Sequence, residues 1–105
     1  MSDRSAALAA LADPVRQQLL DILSDQGPQT ASQLAESFEI SRQAVSKHLT
    51  QLETSELIHR SVEGRAVLFH ADPVALRQTS EWLASTTSRW ESRLDRLAAM
   101  FDHTE

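Results

Sequence analysis

The chain has 105 residues, enough for one domain of ordinary size and too few for two. Hydrophobic residues make up 41% and charged residues 24%, as in globular proteins, and no apolar run nears the ~20 residues of a membrane helix. Cysteine is absent, which excludes disulfides, thiolate metal sites and thiol nucleophiles, and a net charge of −5 argues at first against nucleic acid.

Ala6 to Ala12 is rich in alanine and leucine and predicts a short first helix. Asp13-Pro14 reads as an N-cap followed by proline at the first helical position. Val15, Leu19, Ile22 and Leu23 then recur at helical spacing, carrying a second helix to about Asp25, where Gly27-Pro28 stops it. Thr30-Ala31-Ser32-Gln33 fits a capping box opening a short helix, with Leu34 and Phe38 inward and Ala35 small enough for close approach. Glu39-Ile40 leads tightly to Ser41, a second good N-cap. Behind it Ala44, Val45, His48, Leu49 and Leu52 form one apolar stripe.

After Leu57 the period becomes strand-like. Residues 58–62 and 66–70 flank the turn Glu63-Gly64-Arg65 and predict a β-hairpin. Asp72-Pro73 repeats the cap-plus-proline signal, and a long final helix follows to about Phe101. This order predicts a mainly α (α+β) fold, a winged helix-turn-helix in a single domain. The helix-turn-helix falls at about residues 30–54, the wing at about 58–71 and the terminal helix at about 73–101.

Charge is unevenly spread. Residues 1–40 carry two basic against six acidic side chains (−4), residues 41–65 four against three (+1), and residues 66–105 four against six (−2). With Val45, Leu49 and Leu52 turned inward, the 41–54 helix presents Arg42, Gln43, Ser46, Lys47 and Thr50 outward, and no acid occurs from Ser41 to Leu52. Such a face suits a DNA major groove: arginine and lysine donate to guanine, glutamine pairs with adenine, and small hydroxyls fit beside phosphates. Base-reading residues sit near the N-terminal part of such a helix, where Arg42, Gln43 and Ser46 lie, and the Ser41 end can face a phosphate. The bland alternative is a solvated helix face; the capped helix before it and the hairpin after it favour DNA. Arg65 at the hairpin tip can reach a minor groove or phosphate, and Arg60 on the exposed strand face can add a backbone contact.

Over essentially its whole length the chain resembles the ArsR/SmtB family of bacterial winged-helix repressors. The likeness rests on Leu11-Ala12-Asp13-Pro14-Val15-Arg16, Leu19-Leu20-Asp21-Ile22-Leu23, and the stretch from Ile40-Ser41-Arg42-Gln43 through Ala44-Val45-Ser46-Lys47-His48-Leu49. Leu52-Glu53, Leu57-Ile58 and Glu63-Gly64-Arg65 add to it. The resemblance implies a homodimeric repressor on a palindromic operator, often of its own gene. It also implies that Ser41, Arg42, Gln43, Ser46 and Lys47 meet the operator and that the wing around Arg65 flanks it.

On the last helix Leu76, Leu83, Trp90, Leu94, Leu97 and Phe101 fall in a stripe about 60° wide, with Trp82 and Met100 on its shoulder. That is more apolar surface than a small domain covers. A seam with the same helix of a second subunit, helped by Leu8 and Leu11, is preferred over packing within one chain.

Relatives that sense metals through cysteines on the helix matching 30–37 find no counterpart here, where that helix has none. Others use aspartate and histidine across the last helix; here only His103, beside Asp102 and Glu105, lies late on it, and His70-Ala71-Asp72 precedes it in reversed order. No metal or other cofactor is therefore expected, and no effector is identified. His48 is read as a core histidine donating to backbone, and His59 and His70 as hairpin residues, exposed or partly packed. No catalytic set is evident, so an enzyme is not expected. Two rivals share the fold: a repressor sensing metal through His, Asp and Glu, and a protein-interaction module that binds no DNA. The segment Met1 to Ser5 lacks the basic and apolar runs of a signal peptide, and a cytoplasmic location is expected.

Overall fold

A helix leaves backbone groups open at both ends, and in this chain short polar side chains close them. The structure is a computed structural model describing residues 4–102. The Asp13 carboxylate accepts from the N–H groups of Val15 (2.8 Å) and Arg16 (3.1 Å), with Pro14 at the first helical position. This cap separates α1 (Arg4–Leu11) from α2 (Pro14–Gln26). Gly27 ends α2 with φ at 80°, a backbone region that glycine enters without strain. The capping box forms as expected: Gln33 N–H donates to Thr30 Oγ1 (3.1 Å) and Thr30 N–H to Gln33 Oε1 (2.8 Å), opening α3 (Ala31–Ala35). The Ser41 hydroxyl oxygen accepts from Ala44 N–H (3.1 Å) and starts α4 (Arg42–Thr54).

No glycine ends α4. Glu56 takes φ of 64°, so that its own N–H reaches Glu53 O (2.9 Å) and Leu57 N–H reaches Leu52 O (3.0 Å). This is the hydrogen-bond pattern of a Schellman stop. A non-glycine residue held in that conformation costs about 1–2 kcal/mol.

β1 (Ile58–Glu63) and β2 (Ala66–Ala71) pair antiparallel, from Ile58 opposite Ala71 to Glu63 opposite Ala66. Gly64 supplies the positive φ (62°) of their two-residue turn. Gln29 exchanges both backbone hydrogen bonds with Phe69 (3.0 and 2.8 Å), so the residue leading into α3 lies along the outer edge of β2. A single residue in a loop leaves no periodic signal, and the sequence reading has no place for this bridge.

The core is built from the inward stripes already legible in the sequence. Leu19, Leu20 and Leu23 of α2, Leu34 of α3, and Val45, Leu49 and Leu52 of α4 bury against Leu57, Ile58 and Phe69. Ala7 and Ala10 seat α1 on this cluster, and Phe38 packs at its margin.

α5 (Pro73–Asp102) behaves differently. Its 30 residues span about 45 Å, and the molecule extends 70 × 31 × 21 Å with a radius of gyration of 18.3 Å. A compact chain of this length has about 13 Å. α5 joins the apolar core through Ala75 and Leu76 near its start, and Thr79 and Thr86 are buried further along. Asp72 caps it, accepting from Val74 N–H and Ala75 N–H (both 3.0 Å).

Expectations for the terminal stripe therefore divide. Leu11 and Leu76 pack half-buried on the core of their own chain, and Leu8 is half-buried on α1. Leu83, Trp90, Leu94, Leu97 and Phe101 stay exposed, from 39% at Leu83 to 69% at Phe101. Packing of the whole stripe within one chain is thus not what the fold does.

Leu49 is fully enclosed, and Leu49→Ala is expected to lower unfolding free energy by about 2–5 kcal/mol in urea titrations. The backbone N–H groups that each carboxylate accepts hold Asp13 and Asp72 below the usual carboxylate range, with His59 adding to the effect at Asp72. Their stabilising contribution is complete above the unfolded-state pKa of about 4 and is lost as pH falls through the lower folded values. A D13N/D72N variant keeps the caps but loses these titrations. Urea melts between about pH 4 and pH 2 should therefore decline less steeply than for the parent chain.

Candidate nucleic-acid interface

The inner stripe of α4 determines what its outer face shows. With Val45, Leu49 and Leu52 buried, Ser41, Arg42, Gln43, Ser46, Lys47 and Thr50 are all exposed. The amino end of α4 carries no acid in its first turn, so the partial positive charge of the helix end is left uncancelled. Ser41 spends an oxygen lone pair on its cap, yet its O–H remains a donor. Thr50 is altered by its surroundings: its hydroxyl donates to Ser46 O (3.0 Å), which leaves its methyl group as the more available outward contact.

Arg42, Ser46 and Thr50 recur at four-residue intervals and form one wall of a groove whose other wall is the wing. Arg60, Arg65, Val67 and Phe69 line that second wall, and Thr30, Ala31 and Ser32 close the α3 side, around a volume of about 460 Å³. Arg42 and Arg65, on different elements, thus face one cleft. Val62 and Val67 pair directly across the hairpin near its tip and are both exposed. The sequence reading did not single them out, although alternation from buried Ile58 places Val62 on this same face.

Arg60 does not stand free for a phosphate, as its strand position suggests. Its Nε and Nη2 donate to the two carboxylate oxygens of Glu53 at 2.7 and 2.6 Å, and its guanidinium lies 5.1 Å from the Phe69 ring centre. These bonds hold the Glu53 carboxyl below its ordinary range and raise Arg60 further above its own. Strand alternation turns Arg60 toward α4, and Glu53 is the first acid on that helix. Both facts were legible separately; their meeting depends on the angle of the wing.

The opposite strand face makes the matching tie. His59 Nε2 lies 2.7 Å from Asp72 Oδ2, linking the wing to the first turn of α5, with His70 across the strand at 6.1 Å between ring centres. His48 differs from its expected bond to backbone. Its Nδ1 faces Arg16 Nη1 at 3.2 Å and lies 3.8 Å from Asp13 Oδ1. A guanidinium only donates, so in this contact Nδ1 is the accepting atom. Arg16 also donates to the carbonyls of Ala10 (2.6 Å) and Ala9 (3.2 Å), so one side chain ties the end of α1 to the middle of α4. Sequence reasoning placed Arg16 in a motif but gave it no partner.

Among the described residues no group of three or more His, Asp or Glu side chains is disposed to hold a metal ion. His103 and Glu105 lie outside the described residues. No helix among them is long and apolar enough to cross a membrane.

Comparison with known proteins agrees with this geometry. A helix-turn-helix domain family matches residues 11–61. An ArsR-like transcriptional regulator from Rhodococcus sp. RHA1 is 31% identical, with 92% of this chain and 91% of that one covered and a TM-score of 0.75. A possible transcriptional regulator for arsenical resistance is 38% identical, covering 93% of this chain and 96% of the other, with a TM-score of 0.70. The transcriptional repressor SdpR of Bacillus subtilis (strain 168) is 29% identical over 85 residues, 81% of this chain and 93% of that protein. The chain belongs to the ArsR family of DNA-binding transcriptional regulators.

Proposed function

We infer that the chain is a homodimeric, sequence-specific repressor that reads a palindromic operator. The observation that carries this reading is the outer face of α4, which has no acid from Arg42 to Leu52 and lines one groove with Arg65 of the wing. In this arrangement α4 enters the major groove. Arg42, Gln43 and Ser46 meet base edges, Lys47 and the Ser41 end meet phosphates, and the Thr50 methyl suits a thymine methyl. Arg65 follows the adjacent minor groove.

A palindrome requires a two-fold protein. The exposed stripe Leu83, Trp90, Leu94, Leu97 and Phe101 supports α5 as the seam, to which half-buried Leu8, Leu11 and Leu76 add in this reading. Burying such side chains contributes about 1.5–3 kcal/mol each. Two α4 helices related by that seam reach half-sites about one helical turn apart. Repression is then steric, with the bound dimer covering promoter DNA. The region upstream of the protein's own gene is the first duplex to test, since repression of its own transcription completes the reading.

Gel shifts on that duplex, or on one selected from random DNA, should show affinity falling steeply with salt. Lys47→Ala should weaken all sequences about equally and lower the salt slope by about one. Arg42→Ala or Gln43→Ala should relax discrimination at single positions by about 1–3 kcal/mol. Binding that ignores duplex sequence and salt alike would overturn the reading.

Trp90→Ala and Leu94→Asp leave every DNA-facing residue in place. Sedimentation should show a shift to monomer, and operator binding should be lost with it. An intact, operator-competent dimer of Leu94→Asp would place the seam elsewhere.

A further inference from the structure

A hairpin wing whose ties, the Gln29–Phe69 bridge and the His59–Asp72 contact included, lie in its inner half is a lever. From Ile58 to Glu63 the strand runs about 17 Å, so a 10° swing about the base displaces the tip by about 3 Å. That distance exceeds the tolerance of a hydrogen bond to a base or phosphate. The core holds Ile58 and Phe69, whereas the rest of β1 is exposed and, toward the tip of β2, Ala66 and Leu68 are only partly buried. Something has to fix its angle if Arg65 is to meet DNA in register with Arg42.

Glu53 is placed to do so. It ends the groove-side row of α4, which reads Arg42, Ser46, Thr50 and then Glu53. Its side chain is mostly covered, with 21% exposed, and its two oxygens accept from Nε and Nη2 along one edge of the Arg60 guanidinium. A two-bond fork restricts direction as well as distance, and the Phe69 ring under the guanidinium restricts it again. A carboxylate beside a phosphate backbone is costly in a DNA-reading helix unless a cation cancels it, which Arg60 does. Two of the Arg60 donors, Nε and Nη2, are thereby committed to Glu53.

We propose that Glu53 is a positioning residue for operator recognition: through Arg60 it sets the angle of the wing against α4, and so the spacing between major-groove and minor-groove readout. The proposal rests on the reading of α4 and Arg65 as DNA contacts. It makes Glu53 a determinant of affinity and of flank specificity although it touches no nucleotide.

The test uses the full chain and the duplex that the unaltered protein selects from a random pool. Removing Glu53 has opposite signs under the two roles open to Arg60. If Arg60 is a phosphate contact restrained by Glu53, Glu53→Gln frees it and tightens binding. If Glu53 positions the wing, E53Q weakens binding about three- to tenfold, and preference is lost at the flanking positions while the central ones keep theirs. In an Arg65→Ala background the effect of E53Q should vanish, because the tip no longer reports the angle. Arg60→Lys, which keeps the charge and loses the fork, should behave as E53Q does. Tighter binding of E53Q, or equal weakening with and without Arg65, overturns the proposal and leaves the α4 reading standing. An Arg65→Ala chain that binds and selects like the parent overturns both the wing contact and the role of Glu53. A melting temperature within a few degrees of the parent's separates positioning from a general loss of fold.

Discussion

Rotation of α4 about its own axis is the degree of freedom on which the molecule depends, and the core removes it. Val45, Leu49 and Leu52 are buried to within 1% of complete enclosure, held by α2, α3 and the base of the wing. One residue along a helix is a turn of about 100°, so a one-residue shift of register would turn Ser46, Thr50 and Glu53 inward and expose leucine. The cationic face is therefore as well defined as the hydrophobic one, because the two are opposite sides of one cylinder. Arg16 adds a polar restraint by binding the carbonyl end of α1 and the imidazole of His48 together.

Caps are distributed with the same logic. The two helices whose starts do not line the groove, α2 and α5, use aspartate, which neutralises a helix amino end with a full charge. The two that border the groove, α3 and α4, use threonine and serine, which satisfy backbone donors without adding negative charge. An overall charge of −5 is compatible with DNA binding because no acid lies from Ser41 to Leu52 and the next, Glu53, is paired with Arg60.

Most of this was legible before any coordinates. Caps, helix stops, the glycine of the hairpin turn and the inward stripes are local or periodic, and they fixed the helix order and the face that α4 shows. What escaped was relational. The fork between Arg60 and Glu53 needs the angle of a hairpin to a helix, and neither residue signals the other across seven positions. The bridge from Gln29 to Phe69 has no pattern of its own. The sequence reads His48 as a core histidine bonded to backbone; it is half-buried, and its partner comes from α2, 32 residues away. The stop at Glu56 was hidden for the opposite reason: the local rule prefers glycine there, and tertiary packing of Leu57 and Ile58 overrode it.

The pairing of Gln29 with Phe69 also bears on how the protein avoids its own kind in crowded solution. A two-stranded ribbon has two open margins, either of which can recruit a stray strand. Here the outer margin of β2 is partly taken by the chain itself, leaving β1 as the more open side. That side carries His59, Arg60 and Glu63, side chains whose ion pairing or charge discourages an incoming strand. The segment before the short helix thus serves as a selvedge, closing a border of the sheet at the cost of a single residue.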